Sequence, residues 1–527
     1  MNQRRIAFFL AIMMLLLTPA LSVNSPSDMD GVDLEKRGIQ PPSSLNIPGF
    51  QEGSIFTNDT LSNGYEHSCL IQNDGNVSCW GGDNYGVGVL GNGVATYQTT
   101  PTQVSSFGNN RTAVSVSGGD LHTCSILNTG EVSCWGYGSV GLLGNGGTSD
   151  QYTPVDTSSL GPGRKAVSIS SGGYHTCVIL DNGEVSCWGI NEAGRLGRGT
   201  TSSYELTPST TSSLGNGRQA VAISAGGAHT CALLDNGEVS CWGYGGFGQL
   251  GIGTTSNKSI PTPTSSFGQD VTAIAISSGG YHTCAILSNG SVSCWGENGD
   301  GQLGNGGATN QLSPTLVSSL GANRTAIAIS SGYDYTCVIL DTGNVSCWGN
   351  GGDGQLTAAP LIQSLPLPIS NMAPGRTIVG LSAGDSHTCA ILDNGTVSCW
   401  GRGSSGQLGD GQATYKQTTP TPISSLGAGK SIAISERDLD NDGKLNIFDM
   451  YPYINSPGFQ EASLFTDTTL TSGGAHGCAL IETRKVLCWG DNTYGQLGYG
   501  GSATTSTPIQ TQNFGSGKFP TEIDAGG

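Results

Sequence analysis

Apolar and polar positions alternate over short stretches and never settle into a helical period. In one representative span, "AVSIS" (166–170), "HTCVIL" (175–180) and "EVSCWG" (184–189) are separated by Gly, Asn and Asp. Four to six residues bounded by turn formers predict strands. "NEAGRLGRG" then turns away, and a more variable segment containing "TP" precedes the next copy, so each copy forms one small antiparallel sheet.

The copies recur. Their first cysteines are Cys69, Cys124, Cys177, Cys231, Cys284, Cys337, Cys389 and Cys478, and a second cysteine always follows ten residues later, at Cys79, Cys134, Cys187, Cys241, Cys294, Cys347, Cys399 and Cys488. Seven units run at a period of 52 to 55 residues, and the eighth follows a longer gap. Units of this length suit propeller blades, with a solenoid of stacked sheets as the architectural rival. "SGGYHTCVILDNGEVSCWG", followed by turns such as "GGFGQLGIG" and "NGDGQLGNG", resembles the repeat of the regulator of chromosome condensation family. The resemblance implies an all-β fold, a seven-bladed β-propeller. The expected organisation is a signal peptide (1–22), a linker (23–54), the propeller (55–435), a second linker (436–459) and the first unit of a second, truncated propeller (460–527).

A closed ring has to be fastened. "KSIAIS" (430–435) matches the opening strand of a repeat, yet no hairpin follows it directly. The first unit opens instead with the poorly strand-like "TNDTLS" (57–62). Residues 431–435 are therefore expected to pair into the first blade and cover its edge.

The hairpin turn sets the register. With Asp181, Asn182 and Gly183 as a three-residue loop and glycine in the left-handed position, Leu180 faces Glu184, Ile179 faces Val185, Val178 faces Ser186 and Cys177 faces Cys187. Glycines from Gly75 to Gly395 hold the same place in all seven units, whereas the eighth has Arg484. The cysteines then fall at close cross-strand pairs, suited to one disulfide per hairpin. Trp188 lies opposite Thr176, on the face away from the sulfurs, where it can pack between blades. All seven histidines, His67, His122, His175, His229, His282, His387 and His476, share one repeat position, which Tyr335 fills in the sixth unit. That repetition predicts a structural hydrogen bond that locks a strand start. A metal centre would need ligands converging on one ion.

Composition sets the compartment. "MNQRRIAFFLAIMMLLLTPALSVNS" pairs a basic start with an apolar run too short to span a bilayer, as in a signal peptide. No later stretch could cross a membrane, so no membrane span is expected once the signal is removed. Sixteen cysteines in an exported chain indicate an oxidising, secreted or cell-surface location. A net charge of −18 repels phosphate backbones and counts against nucleic-acid binding.

One segment breaks the repeat. In "DLDNDGKLNIFD", Asp438, Asp440, Asp442, Asn446 and Asp449 occupy positions 1, 3, 5, 9 and 12 of a calcium loop, with Gly443 at the turn and the Lys444 carbonyl at position 7. The loop resembles those of dockerins and related extracellular calcium modules. Calcium is thus the expected cofactor, and a solvated acidic linker is the alternative. "SPGFQEASLF" (456–465) then echoes "IPGFQEGSIF" (47–56), as though a second array begins.

No nucleophile and base stand out, so a non-catalytic scaffold binding an extracellular protein or glycan is expected rather than an enzyme. Its recognition surface is placed at Tyr97, Tyr152, Tyr204 and Tyr415 on variable polar segments, and at Tyr333 and Tyr335 in the irregular "SGYDYTC". The family resemblance also implies two rival roles. These are guanine-nucleotide exchange on a small GTPase, as in nuclear members, and enzyme inhibition, as in secreted relatives that block β-lactamases.

Overall fold

A computed structural model describes residues 60–83, 85–357, 361–369, 375–427 and 430–432, together with the backbone of 470–472, 476–481, 485–490 and 505–510. The signal segment and the acidic loop 438–449 lie outside these residues. Among the described residues no helix is long and apolar enough to cross a membrane.

Each repeat forms a four-stranded antiparallel sheet whose strands, here named a to d, are adjacent in chain order. In the third blade they are Ala166–Ser171, His175–Leu180, Val185–Ile190 and Tyr204–Thr210. Seven such blades run from Leu61–Asn63, strand a of the first, to Lys416–Pro422, strand d of the seventh. Strand a of every blade neighbours strand a of the next, and that of the seventh neighbours that of the first, so these strands line the axis of a closed seven-bladed propeller. The half-exposed d strands form the rim.

Turn chemistry fixes the hairpin as expected. Leu180 N donates to Glu184 O at 2.8 Å, Gly183 sits at φ 76°, and Cys177 pairs with Cys187. Seven disulfides, from Cys69–Cys79 to Cys389–Cys399, each join partners ten residues apart within one blade. In the third blade strands b and c are buried at every residue rather than on alternate ones, because neighbouring blades cover both faces of each sheet. One face presents the disulfide and the other the tryptophan. Trp188 packs against Cys124 and Cys134 of the preceding blade, and Cys177 and Cys187 pack against Trp242 of the following one.

The ring closes through a strand assembled from both ends of the array. In the second blade Ala113 faces Leu127, and Asn128 N donates to Thr112 O. In the first blade the same places are filled from beyond the seventh: Ile432 bridges Gln72, and Asn73 N donates to Ser431 O at 2.9 Å. The remainder is local, since Leu61–Asn63 pairs with Ser68 to Leu70. Ile432 is buried with Leu61 and Leu70 of the first blade and with Ile391 and Leu408 of the seventh. Lys430 pairs with Asp74, as Arg164 pairs with Asp181 two blades on. Residues 433–435, also expected in this strand, lie outside the described residues.

An eighth sheet, Leu470–Ser472, His476–Ile481, Lys485–Gly490 and Thr505–Gln510, repeats the strand order of a blade and sets Cys478 opposite Cys488. Arg484, in its turn, lies outside the described residues.

Truncating the closing residue tests the seam. Ile432→Ala should destabilise the ring by about 2–5 kcal/mol, the usual cost of emptying a buried isoleucine site. Thermal melting reads this directly, and an unchanged midpoint would show that the segment is not part of the closed fold.

Candidate functional site

The six histidines of the described blades tie each blade to the next rather than locking their own strands. Nε2 of His67 meets Thr123 Oγ1 at 2.9 Å, and His122, His175, His229 and His282 meet Thr176, Thr230, Thr283 and Thr336 in the same way. His387 closes the circuit on Ser68 Oγ at 2.9 Å. The hydroxyl proton is committed elsewhere: Thr123 donates to Val89 O, Thr230 to Arg195 O, Thr283 to Gln249 O, Thr336 to Gln302 O and Ser68 to Gln407 O. Each of these hydroxyls must therefore accept from histidine, which fixes the Nε2–H tautomer. The tryptophan of the following blade usually donates to the same carbonyl, as Trp135 does to Val89 O at 2.9 Å.

This arrangement holds the rings neutral. Burial lowers the pKa of His67, His229, His282 and His387 to about 3 and that of His122 to about 4. Nδ1 of His122, His175, His229, His282 and His387 is buried without a hydrogen-bond partner, so a second proton would add both a charge and an unsatisfied donor. Among the described residues no cluster of His, Cys, Asp or Glu is arranged to hold a metal ion.

The two faces of the ring differ. On the hairpin face, arginines of the d-to-a connections meet hairpin-turn aspartates: Arg164–Asp181, Arg218–Asp235, Arg324–Asp341 and Arg376–Asp393. The opposite face, built from the a–b and c–d turns, surrounds a shallow axial funnel of about 110 Å³ to which all seven blades contribute. A closed circuit of glycines narrows it. A methyl group on Gly64, Gly119, Gly172, Gly226, Gly279, Gly332 or Gly384 would collide with the glycine carbonyl of the next blade. The residue after each of these glycines varies: Tyr65, Asp120, Gly173, Gly227, Gly280, Tyr333 and Asp385.

Aromatic rings continue outward from this mouth. Tyr281 lies 6.0 Å from Tyr333, 5.2 Å from Phe247 and 6.0 Å from Tyr244, edge-on or tilted, over blades four to six. Beside them, Arg195 replaces the glutamine that other blades carry at Gln249, Gln302, Gln355 and Gln407. It is 4% exposed, and its Nη1 reaches Gly227 O at 3.4 Å. Burial pushes the Tyr281 and Tyr174 hydroxyls above their ordinary pKa.

Of the residues singled out in the sequence, Tyr333 lines the funnel. Tyr97, Tyr152, Tyr204 and Tyr415 are exposed on the outer rim, at or just before strand d of blades one, two, three and seven. They do not converge on the funnel. Tyr335 is not a surface residue: it is fully buried, and its hydroxyl donates to His387 O at 2.6 Å and meets Thr388 Oγ1 at 2.9 Å. It takes the histidine's place in the inter-blade circuit. The metal candidates Asp438, Asp440, Asp442, Lys444, Asn446 and Asp449 lie outside the described residues. Asp120, Asp385, Tyr281 and Arg195 escaped sequence reading. For Asp120, Asp385 and Arg195 the one signal was departure from the repeat, "GGDLH" and "AGDSH" against "SGGYH", and "GRLG" against "GQLG"; Tyr281 gave none, because it is the tyrosine of "SGGYH" itself.

Repeats, ring and faceted turns define a closed propeller with one self-paired face and one variable face. The chain belongs to the RCC1-like family: the RCC1-like domain model matches residues 35–370, and regulator of chromosome condensation (RCC1) repeat models match 378–407 and 468–496, and 394–435 and 485–527. It is similar to the ultraviolet-B receptor UVR8 of Arabidopsis thaliana, 31% identical over 424 residues that cover 79% of this chain and 92% of the receptor. The mitochondrial RCC1 domain-containing protein RUG3 of the same plant is 32% identical over 348 residues, covering 63% of this chain and 76% of RUG3. Among solved structures, yeast RCC1 (Prp20) bound to Kap60 superposes with a TM-score of 0.60 at 20% identity, over 77% of this chain and 92% of that one, a likeness of fold.

Two outcomes follow for stability. A buried histidine that stays neutral when folded but takes a proton below about 6.5 when unfolded contributes stability that is complete above that pH and lost as pH falls towards 3 to 4. Each such ring should remove about 1.4 kcal/mol per pH unit across the window, so the melting temperature should drop steeply from pH 6.5 to 4; a flat profile would refute the neutral circuit. Reduction should lower it as well, since each eleven-residue loop is worth about 2.8 kcal/mol in the chain-entropy model. Free thiols in the native protein, detected by mass spectrometry of unreduced peptides, would contradict the intra-blade bridges.

Proposed function

We propose that the protein is a non-catalytic binding scaffold, displayed outside the cell or secreted, that recognises a protein partner through the face carrying the axial funnel. The observation that supports this reading most directly is the asymmetry of the ring. The histidines are spent on inter-blade bonds and the hairpin face on its own ion pairs, while the funnel face gathers the residues that vary between blades. A funnel of about 110 Å³ is small beside the roughly 300–1,000 Å³ of pockets that enclose whole cofactors or substrates. The disulfide in every blade supports an oxidising compartment. The oxygen donors from Asp438 to Asp449 keep calcium in this proposal as a stiffener of the linker, and they suit a hard cation.

Variants on the two faces test the reading. Phe247→Ala combined with Tyr281→Ala should abolish capture of a defined protein partner from extracellular material, while Glu184→Gln with Glu238→Gln on the hairpin turns should leave capture intact. Equal capture by both variants would refute the assignment of the face, and turnover of a glycan by the purified protein would refute the non-catalytic reading. Calcium titration of the intact chain by calorimetry should show one site that Asp440→Asn with Asp442→Asn removes.

A further inference from the structure

Order around the funnel is not random. Taken blade by blade from the sixth, the variable positions read Tyr333, Asp385, Tyr65 and Asp120, and the three remaining blades present Gly173, Gly227 and Gly280. Four consecutive blades thus form an arc that alternates aromatic and acidic, and the other three form an arc of glycines, with the Asp120 carboxylate beside Gly173 and the Tyr333 ring beside Gly280. The two arcs face each other across the axis.

Acid next to aromatic is the chemistry that recognises an organic cation. A carboxylate supplies charge and hydrogen-bond acceptors, and a phenol ring supplies a negative π face, worth about 0.5–2 kcal/mol for a cation that has shed water. At about 110 Å³ the funnel has room for the end of one long side chain. Beyond it, the ledge formed by Tyr281, Phe247 and Tyr244 supplies apolar surface on which the adjoining residues of a peptide can rest. Charge around the mouth has the matching sign. Of the nearby cations, Arg195 is sunk against backbone carbonyls and feels the charge of Asp120, Arg402 is engaged by Glu66 at 3.6 Å, and the Lys416 ammonium donates to Gly352 O.

We infer that the arc of Tyr333, Asp385, Tyr65 and Asp120 receives a lysine or arginine side chain presented by a protein partner. The inference deepens the scaffold reading and rests on it. It names the partner's chemistry: a basic segment whose cationic side chain enters on the axis.

The experiment is fluorescence anisotropy on the intact, oxidised chain, using fluorescein-labelled nine-residue peptides of Gly and Ser that carry three arginines, three lysines or three glutamates. A cationic peptide should bind saturably and the glutamate peptide should not. Asp120→Asn with Asp385→Asn should weaken that binding at least tenfold, and Tyr333→Ala several-fold. Glu184→Gln with Glu238→Gln, which removes the same charge from the other face, should change it less than twofold. Equal losses in the two charge variants would overturn the inference, as would indifference to peptide charge. If the aspartate pair melts lower than the parent, the single Asp385→Asn and the salt response of the parent decide, because binding that does not weaken between about 50 and 300 mM salt is not carried by these carboxylates. A protein partner lost from the Phe247→Ala and Tyr281→Ala variant, yet not displaced by the cationic peptides, would leave the scaffold reading standing and remove this one.

Discussion

A hydroxyl that accepts a hydrogen bond from one group and donates one to another holds this ring together. Thr123, Thr283 and Thr336 each enter the preceding blade, accept from that blade's histidine and donate to a turn carbonyl of the same blade, where the tryptophan donates as well, and Ser68 does the same where the ring closes. Three polar groups are satisfied at once in a space with no room for solvent, so each partner is costly to lose. The glycine circuit beneath follows from the same closeness, since strands drawn this near the axis cannot tolerate a side chain between one a–b turn and the next.

The division of labour between bonds follows. Sulfur bridges staple strand b to strand c inside each blade, and apart from the d-to-a connections of the chain itself the links between blades are non-covalent: tryptophan against disulfide, histidine against threonine, glycine against carbonyl. Rigidity within a blade comes from local covalent closure, whereas rigidity of the ring comes from seven similar interfaces. The first blade is the exception, because its inner strand is shared between residues at 60–63 and at 431–432.

How much of this was legible in the sequence depends on distance along the chain. The hairpin register, the disulfide partners and the tryptophan's place on the face away from the sulfurs could all be read, since a glycine turn and period-two alternation determine them within a dozen residues. The closing strand was legible in part, because "KSIAIS" copies an opening strand. The histidines' partners were not, as each lies one repeat further on and only the ring geometry brings it near. Tyr335 was misjudged for the same reason: a phenol in an irregular turn looks exposed until the seventh blade is set against it. The funnel depended most on folding, for Asp385, Tyr65 and Asp120 become neighbours only when the wheel shuts.

Placing both halves of every bridge ten residues apart has a consequence for biogenesis. Where thiols oxidise as the chain emerges, each can meet its proper mate before the next pair appears, so order of appearance rather than later editing limits cross-linking errors among so many sulfurs. A wheel that closes last can thus be oxidised first.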